Sequence, residues 1–234
     1  MKKLIISIIF LISGICSFGQ SNIDTSKFYV SKIDSAFFNQ IGNSWIVTGS
    51  LLKVDTVFNE GFYKSYFNKS LKVPLYCTDS LYQGGGTCSR KGMYFTGNYL
   101  TATSKDYAAS GYDEGHLVDA KDYAFDCVKE KTTFKFYNAL PQTPALNRGI
   151  WKHYETLIRK LSQTTHLFII AGGIFNTNKT IGNGVAVPDL CYKIVYDNTG
   201  KLLYCLLFPN DNSQSVKSIS IDDLNEILGY QIVF

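Results

Sequence analysis

The segment around His116 has the residue types needed for proton transfer. His116 follows Gly115 directly and comes three residues after Asp113. A histidine can act as a general base near neutral pH, and a neighbouring glycine lets a ligand approach the backbone closely. Hydrolysis of a phosphodiester needs such a base for the attacking water and a cation to neutralise the phosphoryl oxygens. A single histidine is more often structural, so His116 alone does not define a site.

Asn147 is a candidate ligand for that cation. It lies in the run from Phe136 to Trp151, which leads from a predicted strand through a loop into a predicted helix. Mg²⁺ prefers oxygen ligands and keeps several of its waters, so one amide oxygen can suffice when phosphate supplies others. The alternative is an ordinary asparagine at the cap or first turn of a helix, where this residue is common.

Glu155 and Arg159 follow Asn147 on the same predicted helix. Glu155 is on the same flank about two turns further on, and Arg159 follows it at a spacing that brings helical side chains together. The carboxylate could hold a water at the cation, and the guanidinium could meet a phosphate. The alternative is a surface ion pair worth about 0.2–0.5 kcal/mol.

The motifs form an ordered series along the chain. In order they are Asp113-x-Gly115-His116, the run Asn138-x-x-Pro141-Gln142-x-x-x-x-Asn147-x-Gly149-x-Trp151-x-x-x-Glu155, then Gly172-Gly173, and finally Val185-Ala186-Val187-Pro188. This series resembles the DNA/RNA non-specific endonuclease family of the ββα-metal superfamily, over about residues 60 to 230. One motif would be a weak signal, but the whole series at the family's spacing is specific.

The resemblance implies a role for each residue. His116 would be the general base, and Asn147 would be the only protein ligand bound directly to one Mg²⁺, with Mn²⁺ as a substitute. Glu155 would act through a water on that ion, and Arg159 would contact phosphate. Such enzymes leave 5′-phosphate ends. They cut both DNA and RNA, because contacts to backbone phosphate carry no base information. The other residues expected to bind substrate or shape the site are Asp113, Glu114, Asn138, Gln142 and Arg148.

One position departs from the family pattern. Members usually have arginine between the aspartate and glycine of the first motif, and this chain has Glu114. An arginine there would neutralise phosphate, whereas a glutamate repels it unless it points away or recruits a cation. Two interpretations stay open. One is an enzyme with retuned metal or substrate use, and the other is a catalytically impaired module that binds nucleic acid or protein.

The elements that would position these residues indicate an α+β fold. We expect a central, mostly antiparallel β-sheet with packed helices, and a ββα-metal motif made by a β-hairpin and the helix that begins near Pro144. That helix would run to Leu161, and a short capped helix would run from Ser220 to Leu228. Apolar or aromatic runs predict strands at Trp45–Leu52, Leu71–Tyr76, Met93–Tyr99, Thr133–Tyr137, Leu167–Ile170, Tyr192–Tyr196 and Leu202–Phe208.

The cysteines indicate disulfides rather than a zinc site. The chain has six cysteines and no CxxC pair. Cys77 and Cys88 flank a run of glycines and are the first predicted pair. Cys191 and Cys205 lie on neighbouring predicted strands and are a second, weaker pair. Cys127 would then stay unpaired.

The N-terminus has the features of a secretory signal. Lys2 and Lys3 precede an apolar run, and a small residue, Gly19, lies near the expected cleavage point. The run is shorter than the roughly 20 apolar residues that a membrane span needs. We therefore predict a signal at residues 1–20, one nuclease domain at residues 21–234, and a secreted or periplasmic location.

Net charge does not by itself indicate a polyanionic partner. The chain carries +4, and the predicted signal holds two of the 23 basic residues and no acidic ones, which leaves +2. Binding of DNA and RNA as substrates therefore needs a local basic patch. The expected patch consists of Lys129, Lys131, Lys135, Arg148, Lys152, Arg159 and Lys160.

Overall fold

The computed structural model describes residues 52–230 and 232. The predicted signal and the predicted strand at 45–52, apart from Leu52, lie outside these residues. Within them, no helix is both long enough and apolar enough to cross a membrane.

A seven-stranded antiparallel sheet forms the centre of the molecule, which confirms the predicted α+β fold. Its strands, in spatial order, are β1 (Thr56–Asn59), β2 (Tyr63–Asn68), β3 (Val73–Leu81), β6 (Leu167–Ile174), β9 (Leu190–Asp197), β10 (Leu202–Pro209) and β11 (Lys217–Ser218). Two small antiparallel ribbons accompany it, β4 (Asp113–His116) with β5 (Ala139–Gln142), and β7 (Thr180–Ile181) with β8 (Val185–Ala186). The α-helices are α1 (Ser104–Tyr107), α2 (Cys127–Thr132), α3 (Lys152–Leu161) and α4 (Ile221–Ile227).

Each face of the sheet has its own apolar core. On one face, Trp151, Tyr154 and Ile158 bring the start of α3 and the segment before it against the sheet. On the other face, Leu224 and Ile227 of α4 pack as predicted for the capped terminal helix, whose Ser220 side chain accepts from the Asp223 amide. Successive strand residues point to opposite faces, so the sheet separates the two cores.

One continuous segment, residues 82–166, leaves and re-enters the sheet between two neighbouring strands. Leu81 ends β3 and Leu167 begins β6, and these two residues are paired directly in the ladder. The segment carries β4, β5 and α1 to α3. The strands that flank this segment are therefore hydrogen-bonded to each other where it leaves and returns. We call residues 82–166 the excursion, and it contains the predicted site.

Two predicted strands are wrong. Residues 93–99 make only one isolated bridge, between Thr96 and Lys135, and Tyr94 and Tyr99 are highly exposed. Residues 133–137 cap α2 at Thr133 and continue into a 3₁₀ turn, Phe136–Asn138. Phe95 and Phe134 pack against the His116 ring, and Tyr137 stacks on Phe58 of β1, so these apolar runs are buried in part without strand pairing.

The predicted helix from Pro144 to Leu161 is interrupted. A π-helical segment spans Leu146–Trp151, and Gly149 within it has non-helical angles (φ −102°, ψ −111°) before α3 begins. A side chain at Gly149 would meet Gln214, whose Oε1 lies 2.3 Å from the position of an added Cβ. The β4 and β5 ribbon is likewise not a simple hairpin, because α2 and two 3₁₀ turns lie between its strands.

The predicted disulfides are wrong. The structure pairs Cys88 with Cys127, whose Cα atoms are 5.4 Å apart, and leaves Cys77, Cys191 and Cys205 as buried free thiols. Cys191 and Cys205 belong to the cores on opposite faces of the sheet, so adjacent strands do not bring their sulfurs together.

Candidate active site

A cleft of about 360 Å³ is lined by residues of the excursion. Six of the nine lining residues were predicted, five as site residues and Lys152 as part of the basic patch, and three were not. The lining residues are Arg90, His116, Asp119, Lys121, Asn147, Arg148, Lys152, Glu155 and Arg159. The structure therefore brings His116, Asn147, Glu155 and Arg159 to one place.

His116 lies at the end of β4 in an aromatic setting. Its ring centroid is 4.6 Å from that of Phe95 and 4.7 Å from that of Phe134. The Trp151 indole donates a 3.1 Å hydrogen bond to the His116 carbonyl, which fixes the backbone. The residue is half-buried, but Nε2 is fully covered and has no hydrogen-bond partner among the described residues.

The His116 ring is held in its neutral form. Burial lowers its pKa to about 3, with Arg90 and Lys193 adding to the effect, while Asp119 acts in the opposite direction. A neutral imidazole can accept a proton, and no described residue forms a hydrogen bond with the covered Nε2. Negative charge brought into the cleft would raise the pKa of this ring and favour proton uptake.

Asp113 orients both neighbouring polar groups at the start of the π segment. Its Oδ2 accepts from Asn147 Nδ2 at 3.0 Å and from Arg148 Nε at 2.7 Å, and its Oδ1 accepts from Arg148 Nη2 at 2.6 Å. The paired Arg148 lowers the Asp113 pKa against the effect of partial burial, which raises it. The carboxylate is thus ionised and holds the Asn147 amide in one orientation.

The Asn147 orientation suits a hard cation. Because the amide nitrogen is committed to Asp113, Oδ1 is the atom left for a ligand, and no described residue donates a hydrogen bond to it. Within the described part of the chain there is no cluster of three or more His, Cys, Asp or Glu side chains that could hold a metal by themselves. The donor set therefore fits Mg²⁺, which accepts few protein oxygens and keeps its waters.

Arg159 is held by two buried carboxylates. Its Nη1 donates to Asp119 Oδ2, and to Asp122 Oδ1 at 2.7 Å. Arg90 approaches the same Asp119 at 3.4 Å and Glu130 at 3.3 Å. Arg159 is therefore fixed at the cleft wall as part of a charge network.

Glu155 lies beside this network and is half-buried. Desolvation, followed by the negative charge of Asp119, raises its pKa to about 8, while Lys193, Arg159 and Arg90 lower it. A carboxylate in this position gains from a nearby cation, because added positive charge favours its ionised form.

Four predicted site residues do not line the cleft, namely Asp113, described above, and the three that follow. Asn138 is buried and clamps the chain after His116, accepting from the Val118 amide at 2.9 Å and donating to the Val118 carbonyl at 3.0 Å. Gln142 is buried behind Gly115, where an added Cβ would lie 2.1 Å from its Oε1. Glu114 is paired with Pro141 on the ribbon.

Arg90, Asp119 and Lys121 are cleft residues that the sequence analysis missed. The Asp119 position, three residues after His116, was the available signal, because a short spacing keeps it near the motif. Of the predicted basic patch, only Arg148, Lys152 and Arg159 line the cleft. Lys129 instead lies over the ring of Phe62, among other contacts.

The family model for DNA/RNA non-specific endonucleases matches residues 44–233. The match covers most of the chain, and the chain belongs to this family. The fold agrees, because the structure superimposes on a chain from a crystal structure of the EndoG/EndoGI complex with a TM-score of 0.67. That comparison covers 87% of this chain and 93% of the other, at 20% identity.

Curated relatives are nucleases. A nuclease of Nostoc sp. is 31% identical over 58% of this chain and 55% of its own length. Mitochondrial endonuclease G of Bos taurus is 32% identical over 42% of this chain and 37% of its own length. Mitochondrial nuclease 1 of Schizosaccharomyces pombe is 29% identical over 60% and 51% respectively. The chain thus spans about half or less of these relatives in the matched regions.

Proposed function

We propose that this chain is a divalent-metal-dependent endonuclease that hydrolyses phosphodiester bonds of DNA and RNA. The observation that carries the proposal is the convergence of His116, the oriented amide of Asn147 and the carboxylate of Glu155 in one strongly basic cleft. Family membership supports the same reaction class.

The side chains have distinct roles in this proposal. His116 accepts the proton of the attacking water on its imidazole ring, and Glu155 would orient a water beside the cation. Asn147 would hold Mg²⁺, or Mn²⁺ in its place, through Oδ1, and a cation there would supply neutralisation of charge on the phosphoryl oxygens. Arg159 and the basic cleft residues bind the substrate phosphates.

The contacts available in the cleft are to charge and not to base edges. Guanidinium and ammonium groups recognise phosphate in any sequence. We therefore infer cleavage with little sequence preference. Family membership supports products with 5′-phosphate ends. Ligation of the products without prior kinase treatment tests the end chemistry.

The decisive experiment uses purified chain without the predicted signal. We expect plasmid and RNA to be degraded with Mg²⁺ or Mn²⁺ and not with EDTA. His116→Ala should lower the rate by at least about a hundredfold, since general-base catalysis contributes about 10²–10⁴. His153→Ala is the matched control, because His153 is exposed on α3. Absence of cleavage by the wild type with Mg²⁺, Mn²⁺ and Ca²⁺ across pH 5–9 would refute the enzyme proposal.

A second candidate is a non-catalytic binding module. Glu114 in place of arginine, and the engagement of Arg159 by two carboxylates, favour this reading. It requires salt-sensitive retention of DNA with no nicking in any metal. Retention accompanied by nicking favours the enzyme.

We also propose that the chain is exported. The basic and apolar start of the sequence supports this, and so does the Cys88–Cys127 disulfide, which is typical of oxidising compartments. N-terminal sequencing of protein recovered outside the cytoplasm should begin near Gln20. Recovery of only full-length chain from the cytoplasm would contradict export.

A further inference from the structure

Lys193 is a buried cation at the centre of the sheet. It lies on β9 and is 2% exposed. Its Nζ is 3.9 Å from the centroid of the Trp151 ring and 3.5 Å from the Leu117 carbonyl oxygen. No carboxylate among residues 52–230 and 232 forms an ion pair with it.

This placement is costly for the fold. An ammonium removed from water without a direct ion pair is compensated here by a long hydrogen bond, a ring face and the longer-range attraction of Asp79 and Glu155. Replacing a buried charge with an apolar side chain of similar size is often neutral or stabilising. The stability of the fold therefore does not explain why lysine occupies this position.

The groups that Lys193 contacts are those that hold the site together. Leu117 follows His116, and its carbonyl receives the Lys193 hydrogen bond. Trp151, under the ammonium, donates to the His116 carbonyl at 3.1 Å. The carbonyl of His116, at the end of β4, is thus fixed by Trp151, and the next carbonyl, of Leu117, is fixed by Lys193.

Trp151 also connects this contact to the other half of the site. It stands in sequence between Asn147 and Glu155, at the junction of the π segment and α3. One ammonium from the sheet therefore contacts the Leu117 carbonyl, next to His116, and the Trp151 ring at the end of the segment that carries Asn147.

The charge of Lys193 favours the ionised form of Glu155. It opposes the rise in the Glu155 pKa that burial and Asp119 cause, and it also lowers the pKa of His116. The other charged groups that act on Glu155 are Asp119, Arg159 and Arg90.

We propose that Lys193 is a positioning residue for phosphodiester hydrolysis, a buried charge that fixes the His116 and Trp151 sides of the cleft and favours catalysis at the expense of stability. This inference rests on the proposed nuclease function. It places a determinant of the rate on β9, outside the excursion that carries the lining residues.

Lys193→Met tests the proposal, because methionine has a similar length and no charge. We expect an unchanged or higher Tm, and a kcat lower by at least about tenfold with KM for a fluorescent oligonucleotide within about twofold, since a lost transition-state interaction acts on kcat. We also expect the acid limb of the kcat profile to move to higher pH. Lys201→Met is the matched control, because Lys201 is exposed in the turn after β9, and it should change neither Tm nor kcat.

Lys193→Gln is the second variant, since it keeps a donor for the Leu117 carbonyl and removes the charge. It should show the same loss of kcat. Wild-type kcat in either folded variant would overturn the proposal, as would a loss of kcat matched by a lower Tm with an unshifted pH profile. An inactive wild type would instead refute the nuclease function and is distinguishable from both outcomes.

Discussion

Acidic side chains do much of the positioning in a cleft meant for a polyanion. Asp113 holds Asn147 and Arg148, and Asp119 holds Arg159 with the help of Asp122. Each carboxylate restricts the rotamers of a basic or amide group, so less entropy is lost when a phosphate binds. The same pairs reduce the net positive charge that a substrate meets.

Glu155→Gln should change stability in a pH-dependent way. Because burial raises the pKa of Glu155 from 4.5 to about 8, the folded state retains a proton that the unfolded state releases between these values. Stability from this group is present below pH 4.5 and is lost as the pH rises through about 8. The free energy of unfolding of Glu155→Gln, relative to that of the wild type, should therefore increase as the pH rises. Urea unfolding in EDTA at pH 5 and pH 8.5 measures this difference.

Glu226→Gln provides the control for that measurement, because Glu226 is exposed on α4. It should show no such trend. An equal stability difference between Glu155→Gln and the wild type at both pH values would contradict the assigned protonation.

Glu114→Gln should increase cleavage slightly. Glu114 does not line the cleft, and a unit charge acting across roughly 8 Å of water contributes about 0.5 kcal/mol, or about a twofold change in kcat/KM. The gain should fade with added salt, since the screening length is about 10 Å at 0.1 M. A loss of activity in Glu114→Gln would show that Glu114 assists the cation.

Sequence could identify the site residues that lie close together along the chain. The spacing around His116 and from Asn138 to Glu155 marked residues that now meet or shape one cleft. Arg90 could not be found, because its position depends on a loop tied to α2 by a disulfide and on a buried Glu130 far along the chain.

At the scale of elements, the Cys88–Cys127 disulfide fixes the loop that carries Arg90. Arg90 follows Cys88 by two residues, and Glu130, on the helix begun by Cys127, accepts from its guanidinium. The bond therefore holds both partners of this ion pair. The sequence pattern predicted a pair of Cys88 with Cys77 because a run of glycines lies between them, and local spacing does not reveal a partner 39 residues away.

Removal of this disulfide should weaken both stability and substrate binding. A cross-link that spans 39 residues contributes roughly 4 kcal/mol through loop entropy, and Cys88→Ser with Cys127→Ser should lose about that much in urea unfolding. KM for DNA should rise because Arg90 is no longer held. Dithiothreitol should weaken the wild type and leave the double variant unchanged. Equal sensitivity of both proteins to reductant would contradict the pairing.

Helical periodicity predicted the apolar stripe before and along α3 but not its interruption. Leu146, Tyr154 and Ile158 are buried as the pattern requires. At the break, Gly149 lies so close to Gln214, a residue distant in sequence, that an added side chain would meet it, and local spacing carries no information about such contacts. Tertiary packing also decided that aromatic runs near residues 95 and 134 surround His116 and do not form sheet strands.

At the scale of the whole molecule, binding should depend on salt through the cleft and not through net charge. Log KM for duplex DNA should rise with log salt concentration, and Lys121→Ala and Lys152→Ala should each reduce that slope by about one. Lys64→Ala lies outside the cleft and serves as the control. Equal slopes in all four proteins would exclude these lysines as phosphate contacts.

The pairing of Leu81 with Leu167 makes residues 82–166 an exchangeable unit. Its two ends lie about 5 Å apart, as paired strand residues do, so a segment of different length or sequence can be joined there without altering the ladder. Chimaeras between relatives would best be cut at these two leucines. Lys193 lies on β9 and is not part of the exchanged segment. The protein that receives the segment would therefore need a lysine at the corresponding position of its own sheet.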